Sequence, residues 1–374
     1  MSVPSTSASR RARLIAYYLP QFHPIPENDI WWGKGFTEWT NTAKARSLFR
    51  GHYQPHVPAD LGFYDLRLPE TREAQAGLAQ RHGIEGFCYW HYWFGGGKRL
   101  LEQPLKEVLD SGKPDFPFCL AWANESWTGI WHGASNKVLM EQTYPGRKDE
   151  ENHFECVFRA FRDGRYMTVD GKPLFLVYKP HLLPDRRAFT EHWRELAHRA
   201  RLPGLYLVGE DWTWDWDPQR DGFDASVPHH PGNPFALLKS QGIRQQLLQL
   251  QERLPSVFTA PYRFRYTDFI RAALSLLRFD RRDQIPVVVP NWDNTPRSGR
   301  LGHILLDATP ELFCEYLHNV IRGISWKNPE HRIVLIKSWN EWAEGNYLEP
   351  DLRYGRGFLE ACKAGAFGRG GGDA

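Results

Sequence analysis

Glu341 and Glu344 stand three residues apart in the segment KSWNEWAEGNYLEP (337–350), where Glu341 adjoins Trp342 and Glu344 lies next but one. Two carboxylates at that spacing suit glycoside chemistry, in which one protonates the departing sugar oxygen and the other acts as base or nucleophile. On a helical turn, positions i and i+3 share a face with Cβ atoms about 5–6 Å apart. Retaining glycosidases hold their carboxyl groups about 5–5.5 Å apart, and inverting ones leave a wider gap for water. The spacing therefore permits a retaining arrangement. Crowding among indoles would also split the two pKa values, leaving one group protonated and one ionised. Taken alone, Glu-x-x-Glu is equally the pattern of a solvated helix face, so the elements around it decide.

Other chemistry-bearing residues surround this pair in the sequence. Glu125, in WANESW, is a third carboxylate and an alternative acid should Glu344 turn away. Fourteen of the 16 tryptophans follow strand-like runs, and only Trp193 and Trp326 fall in helical segments. Indoles pair a flat apolar face with one N–H donor, which suits the C–H faces and hydroxyl rims of sugars. The residues expected to contact a carbohydrate are Tyr18, Trp90, His91, Trp93, Trp122, Asn124, Glu125, Trp127, Glu210, Asp211, Trp212, Asn291, Trp292, Asp293, Trp339, Asn340 and Trp342. An aromatic core, or loops pinned by indoles, would account for part of that set. His52 and His56 read as solvated loop histidines, because Pro55 between them argues against a helical metal pair. Lys179 is a substrate donor or a salt-bridge partner, and His229-His230 contact substrate or pack a loop. Asp215-Trp216-Asp217 is formally a D-x-D clasp for a nucleotide sugar, but it lies in a loop rich in Asp and Trp. No G-x-S-x-G or Cys/His arrangement points to a covalent nucleophile.

Such residues need a scaffold. Apolar runs bounded by Pro, Gly, Asn or Asp predict eight buried strands at 13–20, 84–93, 117–124, 173–180, 205–210, 224–229, 285–292 and 332–340. Amphipathic helices are expected at 70–82, 98–111, 149–163, 185–201, 234–254, 267–278, 309–326 and 355–366, with none between strands five and six. Strands alternating with helices imply a parallel sheet. Eight units over this length predict a single α/β domain, a (β/α)8 TIM barrel with long loops on its C-terminal face. A doubly wound sheet lacks its glycine fingerprint here, since YYLPQFHPIPEN follows the first strand. FGGGK (94–98) is not a P-loop and reads as a mobile active-site loop. In a barrel the site lies on the loops after the strands, which is where Glu341, Glu344 and most tryptophans fall. The barrel is expected over 13–366, with disordered ends at 1–12 and 367–374.

Composition excludes several functions. At 374 residues, 41% hydrophobic and 24% charged, the chain has the profile of a globular protein. A formal charge of +3, with only short basic groups, gives no support for nucleic acid or a membrane surface as partner. The five cysteines, Cys88, Cys119, Cys156, Cys314 and Cys362, are scattered and lack C-x-x-C spacing. They imply a reducing compartment or no need for disulfides. No run has the roughly 18 apolar residues of a membrane span, and MSVPSTSASRRAR lacks a signal-peptide core. A cytoplasmic location is expected, with no metal and no cofactor.

The motifs LIAYYLPQFHPIPEND, GFTEWTN, GFCYWHYWF, LAWANESWT, PNWDNTPR and SWNEWAEGNYLEPD together resemble the WbsX-like proteins of polysaccharide gene clusters, over roughly residues 13–360. Those are similar in turn to glycoside hydrolase family 99, retaining endo-α-mannosidases on a (β/α)8 barrel. That second likeness rests on the barrel and on the Asn-Glu-Trp-x-Glu segment. It implies that Glu341 acts on the substrate 2-hydroxyl, so that this oxygen attacks the anomeric carbon. Glu344 then corresponds to the general acid, later the base for water, with no metal and no covalent enzyme intermediate. Ala343 departs from the family 99 pattern, which tends to have His there, so substrate contacts and mannose are not carried over. The expected function is a glycoside hydrolase-like enzyme acting on a polysaccharide or oligosaccharide. Its alternatives are a glycosyltransferase of O-antigen or capsule biosynthesis and a non-catalytic carbohydrate-binding barrel.

Overall fold

The computed structural model describes residues 10–129, 137–213, 215–240 and 260–368. Eight parallel strands form its centre: β1 (Arg13–Tyr18), β2 (Ile84–Trp93), β3 (Phe118–Trp122), β4 (Lys172–Val177), β5 (Tyr206–Asp211), β6 (Ala225–Pro228), β7 (Val287–Val288) and β8 (Ile333–Ile336). Their order around the sheet is β6-β5-β4-β3-β2-β1-β8-β7. Sequential neighbours pair except at one step, where β1 meets β8 in register from Arg13 opposite Ile333 to Ala16 opposite Ile336. The ring closes between β6 and β7 through a single parallel bridge, Ser226 to Gln284. Ser226 N–H donates to Asp283 and Ile285 N–H donates back to Ser226. The chain thus builds the expected (β/α)8 barrel.

Helices follow these strands: α1 (Pro69–Arg81), α2 (Gln103–Ser111), α3 (Arg147–Phe161), α4 (Arg186–Arg199), α5 (Gly232–Lys239), whose Phe235, Ala236 and Lys239 line the central cavity, α6 (Tyr266–Leu276), α7 (Pro310–Gly323) and α8 (Gly357–Phe367). Caps fix several starts. Asp185 accepts from Ala188 N–H at α4, and Thr309 accepts from Leu312 N–H behind Pro310 at α7. Among the described residues between β5 and β6 the one helical element is the 3₁₀ turn Gln219–Asp221, as the short link requires. The segment expected to begin a helix at 98 instead pairs Arg99–Leu100 antiparallel with Tyr92–Trp93. Gly95, Gly96 and Gly97, all at positive φ, form the turn of that hairpin. Asp149 accepts from Gly96 N–H and from Trp93 Nε1, so FGGGK is anchored against α3 and lies outside the cavity. Residues 1–9 and 369–374, and 241–254 of the expected 234–254 helix, fall outside the described residues; α8 extends to Phe367.

Barrel and helices meet in an aromatic layer. Trp193 of α4 is fully buried against Phe175, Phe189 and His153, and His153 stacks on Trp93 at 5.0 Å. Cys88 and Cys119 are buried in the strands and all five cysteines are free thiols. Among the described residues, no helix is long and apolar enough to cross a membrane.

Candidate active site

Every strand contributes to one cavity at the C-terminal end of the barrel, enclosing about 780 Å³. Its wall takes Leu19 and Gln21 after β1, Trp90 and Tyr92 from β2, and Glu125 after β3. Tyr178 and Lys179 follow β4, Trp212 follows β5, His229 β6, Trp292 and Arg297 β7, and Lys337, Glu341 and Glu344 β8. The volume falls within the ~300–1,000 Å³ of small-molecule sites.

One wall is built on Arg297, from the four-residue helix Thr295–Ser298. Its Nη1 donates to Glu344 Oε1 at 2.6 Å and its Nη2 to Glu341 Oε2 at 3.1 Å. The same guanidinium meets Glu38 Oε2 through Nε at 3.2 Å and Nη2 at 3.1 Å. Glu38 opens the helix Glu38–Ala43, whose start is fixed by a Thr37/Thr40 capping box. Three carboxylates around one guanidinium leave surplus negative charge in a water-poor site. Burial first, and the Glu344 charge second, push Glu341 up to about 7 against the pull of Arg297. Burial opposes the charge on Arg297, but Glu38, Glu344 and Glu341 outweigh it and raise its pKa.

The backbone holds this pair in place. After β8 the chain makes a two-residue hairpin, Asn340–Glu341 against Asn346–Tyr347, around one 3₁₀ turn at Trp342–Glu344. The next residue, Gly345, has φ +58° and touches Asp293 so closely that an added Cβ would lie 2.8 Å from its backbone nitrogen. Asp293 N–H donates to the Glu344 carbonyl at 2.7 Å. The Asp293 carboxylate in turn accepts from His52 Nε2 and Gln54 Nε2, both at 2.7 Å, and from the Thr295 hydroxyl. His52 Nδ1 accepts from Leu48 N–H, so Nε2 carries the ring proton. Beneath lies Glu349, which burial pushes up to about 7 while Trp342, Gln75 and Tyr64 donate to it and oppose the rise.

The opposite wall is made of matched pairs. Lys179 Nζ lies 2.5 Å from Glu125 and 4.5 Å from the Trp212 ring centroid. His229 stacks on Trp212 with ring centroids 3.4 Å apart. His229 donates from Nδ1 to Glu210 at 2.5 Å, while burial lowers its pKa against the pull of that carboxylate.

Three comparisons bear on this architecture. The family model described as Glycosyltransferase WbsX matches residues 14–362. The chain belongs to that family. It is 40% identical over 355 residues to an uncharacterised protein, WxcX, of Xanthomonas campestris pv. campestris strain B100, covering 94% of this chain and 49% of that protein. WxcX of strain ATCC 33913 matches equally, so the chain spans about half the length of the curated relatives it matches. Among solved structures, a glycoside hydrolase-like protein superposes with a TM-score of 0.58 at 14% identity, covering 98% of this chain and 96% of the other. The GH99 endo-alpha-mannosidase from Bacteroides thetaiotaomicron superposes with a TM-score of 0.54, also at 14% identity, over 94% and 96%. At such identity the likeness is one of fold.

Of the residues expected to contact substrate, this WbsX-family barrel brings Trp90, Glu125, Trp127, Trp212 and Trp292 to the cavity wall, together with Glu341 and Glu344. The others lie behind it. Strand alternation explains β2, where Trp90 and Tyr92 face inward while His91 and Trp93 face His153 and Asp149 of α3. Tyr18 donates to Gln75, and Trp122 Nε1 donates to the Trp93 carbonyl. Asn124 and Asn340 each clamp backbone on both sides of a neighbouring strand end, at Lys179 and Leu19. Glu210 is engaged by His229, Asp211 accepts from Thr213, Asn291 accepts from Trp292 N–H, and Asp293 braces Glu344. Trp339 is fully buried against Phe87, and Trp342 stacks on Tyr347. His52 and His56 are buried in hydrogen bonds instead of solvated. Trp131 and Trp214 lie outside the described residues. Asp215 and Asp217 are not in the cavity wall. Sequence reasoning missed Glu38, Arg297 and Lys337, although GFTEWTN, PNWDNTPR and the end of β8 contain them.

Proposed function

We propose that this protein cleaves glycosidic bonds in an oligosaccharide or polysaccharide, with Glu341 and Glu344 as its acid–base pair. The observation that carries this reading is the Arg297 fork, which holds both carboxylates side by side in the wall of a cavity rich in aromatic rings. A glutamate pushed up to about 7 is a stronger base than an ordinary carboxylate, which suits Glu341 to taking a hydroxyl proton. In the sequence of steps that the family 99 likeness implies, Glu341 accepts the proton of the sugar 2-hydroxyl. The freed oxygen bonds to the anomeric carbon as the glycosidic bond breaks, and Glu344, which must hold the proton of the coupled pair while Glu341 is ionised, gives it to the departing oxygen. Water, deprotonated by Glu344, then opens the anhydro-sugar with net retention, while Glu341 returns its proton to the 2-oxygen.

The test is turnover on a panel of polysaccharides by Glu341→Gln and Glu344→Gln. Each loses about 10²–10⁴-fold, and unchanged turnover in both excludes the pair. The family description favours a second reading, sugar transfer from an activated donor. That reading requires nucleotide-sugar binding, scored in the same panel by calorimetry. Binding of oligosaccharide without any product would instead fit a non-catalytic barrel.

A further inference from the structure

Lys337 leaves β8 directly into the cavity floor and is 7% exposed. The rings of Tyr178, Tyr17 and Trp90 surround its ammonium, with centroids at 5.4, 5.8 and 6.0 Å. Its nearest carboxylate is Glu210 at 3.9 Å, beyond hydrogen-bond reach, and Glu210 Oε1 already accepts from His229. Among the described residues, none of the three ammonium N–H donors meets an acceptor. An ammonium held in aromatic surroundings without an acceptor is costly, so its place at the cavity floor calls for an acceptor from the ligand. The other cavity cations next to it are engaged: Lys179 by Glu125, and Arg297 by its three glutamates.

We propose that Lys337 binds the carboxylate of an acidic sugar, a hexuronate, in the subsite beside the Glu341/Glu344 pair. This rests on the cavity being the carbohydrate site. A hydroxyl would meet one N–H but bring no charge to an ammonium whose carboxylate neighbours, Glu210 and Glu341, lie beyond hydrogen-bond reach. A phosphate would bring a second negative charge close to the crowded carboxylates of Glu341, Glu344 and Glu38. A single negative charge matches the single lysine. The polarity also sets direction: the carboxylate goes to Lys337, which leaves the opposite side of the ring toward the Arg297 wall.

The experiment compares methyl β-D-glucuronide, methyl β-D-glucoside and glucose 6-phosphate by titration calorimetry or ligand-observed NMR, on wild type, Lys337→Met and Lys337→Arg. The glucuronide binds wild type about tenfold or more tightly than the glucoside, the gain of one charge-assisted hydrogen bond. Lys337→Met removes that preference and Lys337→Arg keeps most of it. Equal binding of the two glycosides, no detectable glucuronide binding, preference for the phosphate, or a preference that survives in a folded Lys337→Met protein each overturns the assignment. Glu344→Gln separates the two readings, because the preference is measured without turnover. Normal turnover in Glu344→Gln removes Glu344 as the acid, and a Lys337-dependent preference in the same variant leaves this assignment standing.

Discussion

The Arg297 wall and the layer between β2–β4 and α3–α4 use the same kinds of residue for opposite ends. Both are rich in tryptophan and in titratable side chains. In the layer, Trp193, Trp122, Trp93, His91 and His153 pack ring on ring, and His91 and His153 share a 2.9 Å hydrogen bond between their Nε2 atoms. No charge is needed there, and burial holds both imidazoles neutral, His91 down to about 3. At the wall, charge is concentrated: three glutamates share one arginine. Residue type alone does not separate a site from a core. What separates them is whether charge is left over after local partners are counted.

Substitutions should keep the two regions apart. The largest effect is expected from Glu344→Gln, which lowers turnover by about 10²–10⁴-fold while leaving the melting temperature unchanged or raised, because a like-charge contact with Glu341 is relieved. Parallel loss of turnover and fold would break the distinction. In the layer, Trp193→Ala should cost about 3–5 kcal/mol in a urea titration, with turnover per folded molecule retained.

The pH dependence of stability should differ in sign. His91 and His153 refuse protons that the unfolded chain binds near 6.5, so the layer loses stability as pH falls below that value. Glu341 and Glu349, raised to about 7, keep protons that the unfolded chain releases near 4.5, so the wall loses stability as pH rises between those values. Urea midpoints across pH 4–8 should show the falling limb flatten in Glu349→Gln and the acid limb flatten in His153→Phe. A Glu349→Gln profile that overlays the wild type would refute the first assignment. The smallest effect is expected at the brace: Asp293→Asn weakens the charge-assisted contact with His52 and should lower kcat about tenfold. Because Asp293 is outside the cavity wall, KM should hold, and a change confined to KM would argue for direct substrate contact.

The barrel was legible because its signals are local. Each strand is a short apolar run between turn residues, and all eight recur in β1–β8. The Glu341/Glu344 pair was legible for the same reason, being three residues apart after the last strand. Arg297 and Glu38 were not, because what matters about them is a contact across 259 positions. Alternation also went unread within β2: Trp90 and Trp93 are equally good sugar-stacking candidates by type, but only odd spacing along a strand changes the face. The clamps Asn124 and Asn340 look like ligands in sequence because they sit at strand ends, where backbone groups also need partners.

The joint between β6 and β7 has a further consequence. Seven of the eight seams are ladders of successive pairs, while this one has the two backbone hydrogen bonds of Ser226, with Asp283 and Ile285, and the His230 ring on the Val287 carbonyl. A seam with so few bonds is where the ring should part first in thermal fluctuation. Amide hydrogens of Ser226 and Ile285 should therefore exchange with heavy water well ahead of those in the β1–β8 seam. His229 and Trp292, which follow β6 and β7 on either side of this seam, line the cavity, so ligand binding that ties them together would slow that exchange and give a label-free reading of occupancy.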